Sequence, residues 1–193
     1  DSDGDDIEAS VENGGAIEVS ATAAASAFAA GILVQSSGNV DATIDNSGNI
    51  SASSFSGSSA RAVGIAAGNE GSIGGTGSVT GQIVNSGASS IDVAAFASGV
   101  SVADAAATGI DHYSVDTANT TVSASNSGAI NAAAGAASDG VANATANGIL
   151  QSADGTGSIG DLADLDASNS GDASISAQAI AFVSGGSAYA NAN

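Results

Sequence analysis

The feature that most constrains this chain is a recurring tripeptide: Asn46-Ser47-Gly48, Asn85-Ser86-Gly87, Asn126-Ser127-Gly128 and Asn169-Ser170-Gly171, with Asn13-Gly14-Gly15 as a degenerate first copy. The copies lie 33, 39, 41 and 43 residues apart. Self-similarity at such spacings marks a repeat architecture, in which no unit buries its apolar face alone and stacked neighbours build the core together. A second landmark, the pair Gly31-Ile32, Gly64-Ile65, Gly109-Ile110 and Gly148-Ile149, falls between successive Asn motifs. Counting both landmarks as the start of a turn gives a unit of about 20 residues and about nine coils.

Ala is the best helix former, yet three patterns favour strands. Ile17, Val19, Ala21, Ala23 and Ala25 alternate with mostly polar residues, as do Val40, Ala42 and Ile44, and Ile175, Ala177, Ala179 and Ala181. A single basic residue leaves no paired charges to support exposed helices, and each of 27 Gly would weaken a helix interior by about 1 kcal/mol. The expected fold is all-β, a right-handed parallel β-helix. Stacked about 4.8 Å apart, nine coils would make a rod roughly 40–45 Å long. Residues 1–12 read as an acidic N-terminal segment and 13–193 as one solenoid domain. Asn13, Asn46, Asn85, Asn126 and Asn169 are expected as turn residues, either simply shaping the turn or also stacking their amides in a ladder along the rod.

Composition narrows the function. Arg61 against 20 acidic residues gives a formal charge of −19, which opposes nucleic acid and anionic membranes alike. The apolar stretch from Val19 to Val34 obeys the repeat and falls short of a membrane span, so no membrane insertion is expected. Four Phe, two Tyr and no Trp are too few for the aromatic girdles of an outer-membrane barrel. There is no Cys, so stability must come from stacking. Absence of Met leads us to expect a processed product or an excised segment.

The pattern Asn-Ser-Gly-x-Ile, then small residues, then Ala-x-Gly-Ile resembles the β-strand repeats of bacterial autotransporter passengers and related large surface proteins over about residues 13–193. That resemblance implies export to the cell surface and a role in adhesion, matrix or appendage structure. It brings no catalytic residues with it, and the repeat lengths vary more than in tightly regular arrays.

Candidate sites are sparse. Asp1, Asp3 and Asp5, in Asp-Ser-Asp-Gly-Asp-Asp, alternate like the oxygen ligands of a Ca²⁺ loop, although Asp6 stands where such a loop wants Gly. Without that loop the same residues are a solvated acidic terminus. No cofactor is required, and Ca²⁺ is the one ion expected. His112, beside Asp111 and Tyr113, reads either as a general base or metal ligand or, more simply, as a surface residue. Asp161, Asp164 and Asp166 offer a carboxylate cluster, but a uronate substrate would meet a strongly negative field with one Arg to hold it. The Gly-rich insertions Glu70 to Gly81 and Asp154 to Asp166 read as loops on the rod. Phe55 follows Ile50, and Phe96 follows Ile91, by five positions, an odd offset that points each ring away from the core if the strand runs unbroken and buries it if a turn intervenes to reset the phase. With Phe28 and Phe182 they form a possible assembly face.

The expectation is therefore a non-enzymatic, extracellular rod that builds a bacterial surface fibre or layer, with copies of itself as partners. A monomeric adhesin binding a surface glycan is the alternative. An ice-binding solenoid would want a regular Thr ladder, which the ten Thr do not keep, and a glycan-active enzyme comes last.

Overall fold

The computed structural model describes residues 6–69, 78–117, 119–155 and 162–193. Fifteen strands form three parallel sheets of five strands each. The first sheet stacks β1 (Ile7–Asn13), β4 (Val40–Asn46), β7 (Ser78–Asn85), β10 (Asn119–Asn126) and β13 (Leu162–Asn169). The second stacks β2 (Ala16–Ala23), β5 (Asn49–Ser56), β8 (Ser90–Gly99), β11 (Ala129–Ser138) and β14 (Ser174–Val183). The third stacks β3 (Ser26–Ser36), β6 (Ser59–Asn69), β9 (Val102–Thr117), β12 (Val141–Gly155) and β15 (Ser187–Ala192). Each strand from β4 onward pairs with the one three before it, so the chain winds as a parallel β-helix, and the helix is of right-handed type.

One circuit contains three strands, and this corrects the count of coils. Asn13 pairs with Asn46, Asn46 with Asn85, Asn85 with Asn126 and Asn126 with Asn169, so the full Asn-to-Asn interval is one coil. The Gly-Ile pairs do not open coils of their own. They stack on one another inside the third sheet, with Ile32, Ile65, Ile110 and Ile149 in one row. There are thus five coils rather than nine, and five rungs at about 4.8 Å span only about 19 Å between the first and last. The N-terminal boundary moves as well. Ile7–Asn13 pair residue for residue with Val40–Asn46, and Glu8 and Glu12 are the outward positions of that strand rather than part of a separate acidic segment.

Alternation sorts the side chains. In β4 the pattern is buried Val40, Ala42, Ile44 and Asn46 against exposed Asp41, Thr43 and Asp45. The same phase repeats above and below, and the core is a stack of identical or near-identical residues, among them Ile50, Ile91 and Ile130, all fully buried. Burying each such Ile contributes about 1.5–3 kcal/mol. In the two end coils the inward residues Ile7, Ala9, Val11, Ile17, Ala177, Ala179, Ala181 and Val183 are only partly covered.

A line of Asn amides runs through this apolar interior. Asn13 Nδ2 donates to Asn46 Oδ1, Asn46 to Asn85, Asn85 to Asn126 and Asn126 to Asn169, each at 2.7 Å. The remaining amide hydrogens of Asn46 and Asn126 reach the carbonyls of Gly48 and Gly128 at 3.0 Å. Asn126 Oδ1 also accepts the Gly128 N–H, and Asn85 Oδ1 accepts the Ser89 hydroxyl. Asn46, Asn85 and Asn126 are thereby buried at 0–1% exposure with both the amide oxygen and the amide nitrogen of each hydrogen-bonded. The Asn closes its strand and points inward, and the chain turns just after it. Gly87 and Gly171 take positive φ there, where two extra residues lengthen the corner.

The Gly-Ile landmark has a packing cause. A Cβ on Gly64 would stand 2.3 Å from Ile91 Cγ2 and 2.6 Å from the Gly109 carbonyl oxygen. A Cβ on Gly109 would meet Ile130 Cγ2 at 2.3 Å and the Gly148 carbonyl at 2.6 Å. Each Gly therefore receives the Ile of the following Asn-Ser-Gly-x-Ile segment, or its lengthened form, from the next coil. The two sequence landmarks are the two halves of one contact.

Two outcomes follow for stability. Gly109→Ala overpacks this contact and is expected to cost about 1–3 kcal/mol, whereas Gly14→Ala, whose added Cβ finds its nearest neighbour at 3.8 Å, should change stability by less than about 0.5 kcal/mol. Asn85→Ala strands the Asn46 donor, the Asn126 acceptor and the Ser89 hydroxyl in the core and should cost about 3 kcal/mol, against less than about 1 kcal/mol for Asn169→Ala at the exposed end. Urea denaturation of the four variants measures both contrasts.

Candidate functional site

In-register stacking gives each outer face its own chemistry. The first sheet is acidic: Glu8 pairs with Asp41 and Glu12 with Asp45 on neighbouring rungs, and Asp164 and Asp166 project from β13. Thr80 and Thr121 adjoin each other but are flanked by Asp41 and Asp164, so this row is no Thr ladder. The second sheet has outward ionisable groups only at Glu18 and Asp92.

The Phe residues divide between two faces. Phe55 and Phe96 are adjacent on the second sheet, 44% and 55% exposed, with ring centroids 6.4 Å apart and planes 19° apart. Phe182 stands on the same face at 68% exposure. Phe28 lies instead on the third sheet, where the Arg61 guanidinium sits 5.7 Å from its ring centroid. Phe28, Leu33, Gln35, Arg61 and Tyr113 border an open groove of about 330 Å³.

Arg61 is held from below by Asp111 at 3.0 Å. Asp111 is almost fully buried, and its carboxyl is pushed above the ordinary carboxylate range by burial, an effect the Arg61 charge and hydrogen bond partly offset. The neighbouring His112 is not the surface residue expected. It occupies an inward position of β9, between Ala67 and Gln151 on adjacent rungs, and is 1% exposed. Alternation turns the Asp111 side chain outward, where it is covered beside Arg61, and the His112 ring into the core, so the two cannot act on one substrate. Among the described residues neither His112 ring nitrogen has a hydrogen-bond partner, and burial lowers its pKa to about 4. The sequence carried no signal for this, because a lone His between Asp and Tyr looks equally polar on either face.

Among the described residues no three His, Cys, Asp or Glu side chains gather as metal ligands, and no helix is long and apolar enough to cross a membrane. Asp1, Asp3 and Asp5 lie outside the described residues, as do Asp161 and most of the two Gly-rich insertions. In comparisons with known proteins, no family model matches the chain, nor does any curated protein or solved structure.

The buried imidazole makes stability depend on pH in a definite direction. Above pH 6.5 His112 is neutral folded or unfolded; below it the unfolded chain binds a proton that the folded chain refuses until about pH 4. Between pH 7 and 4.5 the native protein should therefore lose about 2–3 kcal/mol relative to His112→Leu. Contributions from Asp111 and the other carboxylates, including the opposite trend that a raised Asp111 pKa brings, are common to both proteins and cancel in that difference. Urea midpoints of the two at both pH values test it; parallel shifts would show that His112 does not titrate this way.

Proposed function

We propose that this chain is a non-enzymatic structural protein of the bacterial cell surface or extracellular matrix. It acts as a β-solenoid rod that assembles with copies of itself, end to end, side by side or both, into a fibre or layer. The observation that carries this reading is the state of the two end coils. Among the described residues their inward apolar rows are half covered, each sheet has an open edge strand at both ends of the stack, and the stacking rows run through to both ends. Such an edge templates another coil, supplied by a second copy or by more of the same repeat.

The amide line adds a direction. Every Asn donates toward the C-terminal end of the rod, so that end offers an Asn169 donor and the other an Asn13 acceptor. Head-to-tail addition would extend the line with its polarity kept, and head-to-head addition would break it. The acidic first sheet keeps laterally adjacent rods apart, or joins them when Ca²⁺ screens and bridges it.

A second reading, a monomeric adhesin that binds a glycan, has the groove on the third sheet in its favour. There Phe28 and Tyr113 offer faces to a sugar ring, and Arg61 is the one cation of the chain. Negative-stain electron microscopy of the purified chain, with Ca²⁺ and with chelator, separates the two. Filaments that persist, or thicken with Ca²⁺, are the expected result. Isolated short rods under both conditions would overturn the assembly reading and send the groove to a glycan array, with Arg61→Ala as control.

A further inference from the structure

On the second sheet, one row of outward positions reads Thr22, Phe55, Phe96, Gly135 and Ile180 from the first coil to the last. Gly135 is what lets the row lie flat. A Cβ there would stand 2.6 Å from Phe96 Cζ, so the Phe96 ring can lean across the strand only because that position has no side chain. Beyond the ring, Phe96, Gly135, Gln178, Ile180 and Phe182 border an apolar groove of about 180 Å³. The rim continues to Val100, which is 82% exposed at the next corner.

We infer that this half of the second sheet is a homotypic docking surface, on which the same face of a second copy packs sheet against sheet. The inference rests on the reading of the chain as a self-assembling rod and specifies which lateral face assembles. Charge decides the occupant. Two chains that each carry −19 repel on approach except through a face without carboxylates. Within the strands, the aromatic row and the row beside it toward the strand C-termini have no ionisable group; Asp139 stands at the corner beyond, beside Val100, where it accepts the Ser184 hydroxyl, and Glu18 and Asp92 share a row nearer the strand N-termini.

Area sets the strength. The half without carboxylates, five strands at about 4.8 Å by about four to five residues at 3.3 Å, gives roughly 350 Å² a side, so one pairing buries roughly 700 Å², a weak contact that becomes lasting when it repeats along a fibre or layer. Flat parallel sheets also suit the roughly 10 Å face-to-face spacing of packed sheets, and a two-fold pairing would set each Gly135 groove against projecting side chains of the other copy.

The chain has no Cys, so Ala133→Cys, in the row beside Phe96, gives a unique thiol in the middle of the face, and Thr43→Cys one on the acidic sheet. Under mild oxidation Ala133→Cys should form a disulfide-linked dimer and Thr43→Cys should not. Adding Phe96→Ser and Phe182→Ser, both exposed and so compatible with folding, should cut the cross-linked yield at least ten-fold while the circular dichroism stays unchanged. The same double variant should also weaken side-by-side association at least ten-fold in sedimentation equilibrium. An Ala133→Cys chain that stays unlinked, or cross-linking that ignores the Phe substitutions, overturns the docking surface. If filaments still form by electron microscopy in that case, rod assembly stands and only this face is wrong. If neither filaments nor pairs form, both readings fail, and a glycan or an unrelated protein becomes the candidate ligand of the face.

Discussion

Coil-on-coil register is the constraint on which the rest of this structure depends, and the line of Asn amides is what enforces it. An apolar residue slipped by one rung position would still find apolar neighbours in a core of Ala, Val and Ile. A buried Asn slipped out of line would lose two amide–amide hydrogen bonds with nothing to replace them, at about 1–3 kcal/mol for each stranded group. Because successive side chains in a strand face opposite ways, a one-residue slip would also turn every inward row outward. The amides hold Ile91 over Ile50 and Gly109 over Gly64, and the Gly row then accepts the Ile row of the next coil.

Register has the same effect outside as inside: whatever stands at one position recurs beside itself. On the first sheet this places Glu8 by Asp41 and Glu12 by Asp45, an arrangement of like charges that costs a little on an exposed surface and shapes the approach of any partner. On the second sheet it places Phe96 by Phe55 and clears the carboxylates from the rows around them. A rod with one anionic face and one nearly uncharged aromatic face has directional surface chemistry.

The regular pattern is interrupted where β9 and β12 extend past the Gly kink. Inward positions that hold Val34 and Ala67 in the first two coils hold His112 and Gln151 in the next two. Asp111 replaces an outward apolar residue and binds Arg61 fifty positions earlier in the chain. These substitutions put titratable groups into a solenoid whose other buried polar side chains, among the described residues, are Ser, Thr and Asn.

The odd offset from Ile50 to Phe55 left the ring outward or, after an intervening turn, buried, and it is the unbroken strands β5 and β8 that put Phe55 and Phe96 outside. The strand periodicity and the parallel stacking follow from local facts: a two-residue alternation and a recurring Asn. The sequence determined these because backbone geometry alone converts them into faces. Three further matters were decided only by the tertiary structure. Whether Gly-Ile opens a new coil or nests inside a strand depends on which rows stack, and the close approach of Gly64 to Ile91 can be seen only once two coils are superposed. Whether Phe28 joins the other rings depends on which of three sheets it falls in. The burial of His112 depends on what lies on the rungs above and below it, because a residue's environment in a solenoid is set by neighbours some 40 positions away rather than by the residues beside it.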